Sequence, residues 1–143
     1  MTQIRLGTRI ACPADAVFAF LTDAGQMSVW LPILQAWHEP QDGPRAGSTL
    51  LITRDIVGLR RTFVGEVVRH DPRERCYTVR STLRLLQMEV RWHAVPLGRE
   101  TRLLVTVEVH LATGRVSEGL LALALRRHLS LALRRIKRVL EGA

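Results

Sequence analysis

The side chains of this 143-residue chain that titrate nearest neutral pH are five histidines, at positions 38, 70, 93, 110 and 128, and they are dispersed. No G-x-S-x-G elbow, H-E-x-x-H helix, phosphate-cradling glycine loop or dinucleotide fingerprint accompanies them. Hydrolysis by a triad and metal catalysis are therefore disfavoured, and no metal, nucleotide or other cofactor is expected. The histidines read as solvated or structural imidazoles. His128 is the partial exception, because helical spacing puts it at the flank of an apolar face. Cys12 and Cys76 lack a C-x-x-C pattern and read as two reduced small hydrophobes.

Aromatic residues are few: Trp30, Trp37, Trp92, Tyr77, Phe18, Phe20 and Phe63. Trp92 alternates with polar neighbours on the dry face of its segment. It either fills a core or stacks on a planar ligand, and the same two readings hold for Trp30. The segment Arg60 to His70 bears most on chemistry, yet both of its faces are mixed. Arg61, Phe63, Gly65, Val67 and Arg69 alternate with Arg60, Thr62, Val64, Glu66, Val68 and His70. Glu66 and Arg69 have opposite parity, so only one of them faces a pocket unless a bulge intervenes.

These residues need elements to position them, and the period of the sequence supplies candidates. Residues 3 to 11 alternate as a half-buried strand. Pro13 suits a helix start, and Val17, Phe18 and Leu21 form a short apolar stripe. A second short helix around Gln26 to Trp30 ends at Pro32. From 33 to 112 six strands follow, cut at Asp42-Gly43-Pro44, Gly58, Asp71-Pro72, Ser81 to Arg84, and Pro96-Leu97-Gly98.

The chain closes with a helix from about Val116 to Leu140. Ser117 is its candidate N-cap, Glu118 sits in the positive first turn, and Arg134, Arg135, Lys137 and Arg138 lie toward the negative end. Glu118, Leu121, Leu125, Leu129, Ala132, Ile136 and Val139 fall on one face, which must be buried. Leu120 and Leu123 lie on the far side. They suggest a dimer contact, a lipid contact or a poorly packed lid.

The totals bound the rest. One α+β domain spanning 1–143 is expected, since no break in composition divides the chain, and 47% apolar residues suffice for one core. The net charge of +8 comes from 20 Arg and a single Lys spread over every segment, with no surface aromatics for base stacking, so nucleic acid is not an expected partner. The first residues lack the apolar run of a signal peptide, and no window approaches a membrane span, so a cytoplasmic location is expected.

Seven antiparallel strands are too wide for one helix about 10 Å across to cover while flat, so the sheet must curl around it. Curling leaves a concave interior, and such mostly apolar clefts are where small molecules bind.

This order of elements, with TDAGQMSVWLPIL, GEVVRHDPRERCYTV and the run Gly98-Arg99-Glu100-Thr101-Arg102-Leu103, resembles the START/Bet v 1-like (SRPBCC) helix-grip superfamily, specifically its polyketide cyclase/dehydrase-like family. The resemblance covers essentially the whole chain. It implies a small hydrophobic ligand, with cyclisation or dehydration of a polyketide-like substrate as the family chemistry. By resemblance to aromatase/cyclases, Arg69 is the candidate that acts on a substrate carbonyl, stabilising an enolate oxyanion because a guanidinium does not give up its proton; it reads equally as a strand-end cation paired to a nearby carboxylate. Glu118, His128 or a water would then supply the base. Trp30, Phe63, Tyr77, Met88, Trp92 and Leu125 are the candidate ligand contacts. Two other readings stay open: a non-catalytic lipid or quinone carrier whose basic tail rests on a membrane surface, and an interaction module, including a homodimer, using Leu120 and Leu123.

Overall fold

The computed structural model describes residues 2–23, 34–38, 49–56, 59–83, 86–112 and 115–142, with the backbone alone described for 34–38, 49–56, 59–65, 82, 83, 86 and 115–117. β1 (Thr2–Ile10) leads into α1 (Ala14–Leu21); β2 (Leu34–His38), β3 (Thr49–Ile56), β4 (Leu59–Asp71), β5 (Cys76–Leu83), β6 (Leu86–Leu97) and β7 (Glu100–Leu111) follow, and α2 (Arg115–Leu140) closes the chain. The strands form one antiparallel sheet in the order β1-β7-β6-β5-β4-β3-β2. β1 and β2 therefore stand at opposite edges, and the chain from β2 to β7 meanders back across the sheet until β7 pairs with β1. The expected second short helix, at Gln26 to Trp30, lies outside the described residues, as do the turns at Asp42-Gly43-Pro44 and Gly58.

The β6–β7 hairpin shows how local chemistry sets register. Leu97 pairs with Glu100, so the loop is Gly98-Arg99. Gly98 has φ +64 and Arg99 does not share the left-handed region, the pattern of a two-residue turn with glycine first. The turn is thus tighter than the expected Pro96-Leu97-Gly98. Pro96 stays within the strand at no cost to the ladder. Ala94, two residues earlier, donates its N–H to Arg75 on the β5 side, and β5 has ended before it reaches Pro96. The turn expected at Ser81 to Arg84 is likewise shifted, because β5 continues to Leu83.

One face of the sheet is dry. Ile4 and Ile10 of β1, Leu103, Val105, Val107 and Val109 of β7, and Met88, Trp92 and Ala94 of β6 are buried on it. α2 packs across β1 and β7, while α1 covers β6 and β7. The buried face of α2 runs through Ala122, Leu129, Ala132, Leu133 and Ile136, with Leu121 and Leu125 half-buried beside it. It is rotated from the expected stripe toward Ala122 and Leu133, and Val139, expected inside, is exposed.

α2 is pinned at both ends to the two ends of β1. At the start, the Glu118 carboxylate accepts hydrogen bonds from the Thr2 hydroxyl and from the Leu111 N–H at 3.1 Å. At the far end, Lys137 Nζ donates to the Arg9 carbonyl at 2.6 Å and to Glu141 at 2.8 Å, and Glu141 accepts from the Ala11 N–H at 2.7 Å. Helix from Glu118 to Lys137 and strand from Thr2 to Ala11 each span about 30 Å, so the pins are matched in length. The helix begins at Arg115, which puts Ser117 inside the first turn and not at the cap. No helix among the described residues is long and apolar enough to cross a membrane.

Ile136 is fully buried and Leu120 is 66% exposed on the same helix. Ile136→Ala should cost about 2–5 kcal/mol by chemical denaturation and Leu120→Ala within about 0.5 kcal/mol; equal effects would contradict this packing.

The hydrogen bonds from Thr2 and from the Leu111 N–H lower the Glu118 pKa from 4.5 to about 2. A carboxyl with a depressed folded pKa stabilises above its unfolded value, and that stabilisation is lost as pH falls from about 4.5 toward 2. Glu118→Gln should therefore be less stable than the parent at pH 7, with the gap closing over that acid window; a gap independent of pH would refute the assignment.

Candidate functional site

β4 contains the decisive irregularity. Its register with β5 runs Val64↔Thr82, Gly65↔Ser81, Glu66↔Arg80 and Val67↔Val79, then resumes as Arg69↔Thr78 and His70↔Tyr77. Val68 is the extra residue of a β-bulge. A bulge inverts the facing of everything beyond it. Val67 is fully buried opposite Val79, and His70, which simple alternation sets on the other face, now stands beside Tyr77 on the same concave side.

The bulge also puts Glu66 and Arg69 on one face, and that face is the convex one. Both residues are exposed; the Arg69 side chain is 52% exposed and lies 3.4 Å from Asp71. Arg69 therefore does not reach the concave side, and the expected oxyanion role has no geometry to act through. Its neighbour Asp71 caps the β4–β5 turn, accepting from the Arg73 and Glu74 N–H groups at 3.1 Å each. These backbone bonds, the Glu74 one foremost, together with Arg69, hold the Asp71 carboxyl below its usual range.

The other two candidate bases are elsewhere. Glu118 is buried but committed to Thr2 and Leu111, and a carboxyl held near pKa 2 is a poor base at pH 7. His128 is exposed on the outside of α2, because the buried stripe passes one flank further round. Arg69, Glu118 and His128 thus sit at three separate places, a strand end, a helix start and an outer helix face, and do not form one constellation.

The candidate ligand contacts fare differently. Tyr77, Met88 and Trp92 are all buried on the concave face of β5 and β6, with Tyr77 directly opposite Trp92 and Met88 opposite Ser81. Val79 and Val90 continue the surface between them. Leu125 is half-buried on α2 against the core. Phe63 lies in β4 opposite Ile52, its side chain outside the described set, and Trp30 is outside the described residues.

His70 joins this surface. Its imidazole stacks on Phe18 of α1, with ring centroids 5.6 Å apart, and meets the Tyr77 ring edge-on at 6.2 Å. Burial lowers its pKa below 6.5, against the upward pull of Asp71, so the ring is mostly neutral at pH 7. α1 is held over the β4–β5 turn by an ion pair from Arg75 to Asp15 at 2.7 Å. The sequence read His70 as a solvated or structural imidazole; the signal that places it is the bulge at Val68, which depends on pairing with β5. Among the described residues, no cluster of His, Cys, Asp and Glu has the geometry to hold a metal.

The fold recurs in solved structures of low sequence identity. The Zhui aromatase/cyclase from a Streptomyces species superposes with TM-score 0.83 at 18% identity, covering 98% of this chain and 93% of that one. A START superfamily protein from Mycobacterium smegmatis gives TM-score 0.67 at 20% identity, covering 98% and 94%. The di-domain ARO/CYC BexL gives TM-score 0.79 at 12% identity over 96% of this chain, which spans only 46% of that protein. No protein of curated function matches the sequence. Residues 1–141, nearly the whole chain, match one family, and the chain belongs to it: polyketide cyclase/dehydrase and lipid transport.

Proposed function

We propose that the protein binds a small hydrophobic molecule against the concave face of β4 to β6. The observation that carries this reading is the cluster of Tyr77, Met88 and Trp92 with Val67 and Val79 on the concave side of β4 to β6, buried within the apolar core beside the strip occupied by α2 and partly beneath α1. Large aromatic faces next to a thioether suit a planar or polycyclic apolar ligand. His70 adds one polar group, a neutral imidazole that hydrogen-bonds a carbonyl or hydroxyl without introducing charge. Family membership supports the same class of ligand.

Trp92→Ala should weaken binding of an apolar fluorescent probe such as an anilinonaphthalene sulfonate at least about tenfold, given the area an indole buries. The variant must first be shown folded by circular dichroism. Unchanged affinity in a folded variant would remove the reading.

The finer reading, cyclisation or dehydration of a polyketide-like substrate, rests on His70. In a dehydration, a neutral imidazole accepts the proton α to a carbonyl, the C–H electron pair becomes the new C=C bond, and the β-hydroxyl leaves as water on taking that proton back. The lowered pKa keeps the base form available at neutral pH. On a β-hydroxyacyl thioester, His70→Gln should reduce turnover about a hundredfold or more, and the parent rate should fall on the acid side below pH 6.5. Turnover that survives in His70→Gln would exclude this role, leaving ligand binding to be judged by the Trp92 variant.

A further inference from the structure

We propose that the outer face of α2 docks onto an anionic lipid bilayer. Of the large apolar side chains exposed on the described surface, Leu120, Leu123, Leu131 and Val139 all belong to α2. Leu120 and Leu123 are each 66% exposed. Arg126, Arg127, Arg134 and Arg138 stand exposed among them. Along this face runs a shallow groove of about 660 Å³ lined by Leu123, Arg126, Arg127, His128, Leu131 and Arg134.

Charge is less balanced on this face than on the sheet. On the sheet, Arg9 pairs with Glu100, Arg69 with Asp71, Arg75 with Asp15, Arg80 with Glu89, and Arg91 with Glu89 and Glu108. Between Glu118 and Glu141 the helix carries five arginines and Lys137 with no carboxylate. Among the described residues, Lys137 alone of these six is ion-paired, to Glu141. Among the described residues, none of these five arginines of α2 is ion-paired, whereas on the strands Arg9, Arg69, Arg80 and Arg91 are paired and Arg5 and Arg102 are not.

At 100° per residue, Leu120, Leu123, Arg127, Leu131, Arg134 and Arg138 share the side opposite Ala122, Leu129, Ala132 and Ile136. Leucine and arginine interleave along it for about 30 Å. A bilayer surface suits both residue types at once. The leucines enter the acyl boundary, while the guanidiniums rise along their own stems to phosphate oxygens, which they bind bidentately. A second copy suits them poorly, because a two-fold contact through this face would set the unmatched arginines of α2 against their own kind. The face lies outside the concave side of the sheet, so this docking stands independently of what that side binds.

The test is flotation of the full chain with phosphatidylcholine vesicles, with and without phosphatidylglycerol. Binding should require phosphatidylglycerol and disappear at high salt, where the Debye length falls to about 3 Å. The double variant Arg127→Gln/Arg134→Gln should lower partitioning about thirtyfold, since each arginine near an anionic surface contributes about fivefold. Leu120→Ala/Leu123→Ala should lower it at least about tenfold. All four side chains are exposed, so both variants should keep the parent circular dichroism and apolar-probe affinity. Absence of binding at low salt, equal binding to neutral vesicles, or indifference to both variants would overturn the proposal. So would a dimer in light scattering that the leucine variant dissolves, or retention on polyglutamate without vesicle binding.

Discussion

The rest of the structure depends on α2 being clamped along β1. Two polar pins, Glu118 on Thr2 and Leu111, and Lys137 with Glu141 on Arg9 and Ala11, fix both ends of the helix to the two ends of one edge strand. Between the pins the contact is apolar, with Ala132 and Ile136 fully buried. Small residues such as Ala122 and Ala132 let the helix axis approach the sheet closely, which favours a near-parallel seat over β1 and β7 in place of a central one. The asymmetry has a functional consequence. With the long helix committed to one side of the curl, the aromatic residues of β5 and β6 lie on the part of the dry face beside it.

The convex and concave faces divide the chemistry between them. Outside, Glu89 bridges Arg80 and Arg91, and Arg91 lies 3.7 Å from Glu108, so the polar side of β5 to β7 is a ladder of opposite charges across neighbouring strands. Inside, the same strands present Tyr77, Val79, Met88 and Trp92. The bulge at Val68 decides which side the end of β4 serves. It sends Arg69 to the ladder side and His70 to the aromatic side, and the Asp71 turn then fixes both.

How much of this was legible in the sequence follows from the range of the interactions involved. The alternation of β6 and β7 and the apolar stripe of α2 are local periodicities, and the placement of Met88, Trp92, Leu129 and Ile136 followed from them. Glu118 was legible as an acid in a positive first turn, but its partner Thr2 is 116 residues away, so neither its depressed pKa nor its structural commitment had a local sign. Of the two readings of Arg69, the structure shows the strand-end ion pair, to Asp71, and the facing of the residue was hidden for a related reason. Parity along one strand is local, whereas a bulge is a property of two paired strands, and Val68 carries no glycine or proline to announce one.

In the proposed function, taking His70 in place of Arg69 changes the chemistry available, not merely the residue number. A guanidinium stays protonated at any ordinary pH, so it stabilises anions and leaves the base to be found elsewhere. An imidazole held below its ordinary pKa by burial is a base at pH 7 and, once protonated, an acid, so one group serves both halves of a proton transfer. It also avoids setting a permanent charge against Tyr77 and Trp92, where desolvation would penalise a cation lacking a carboxylate partner. Stacked on Phe18 and edge-on to Tyr77, the ring is oriented by aromatic contacts from two separate elements. The proposed site, built this way, would favour an uncharged, conjugated ligand over an anionic one.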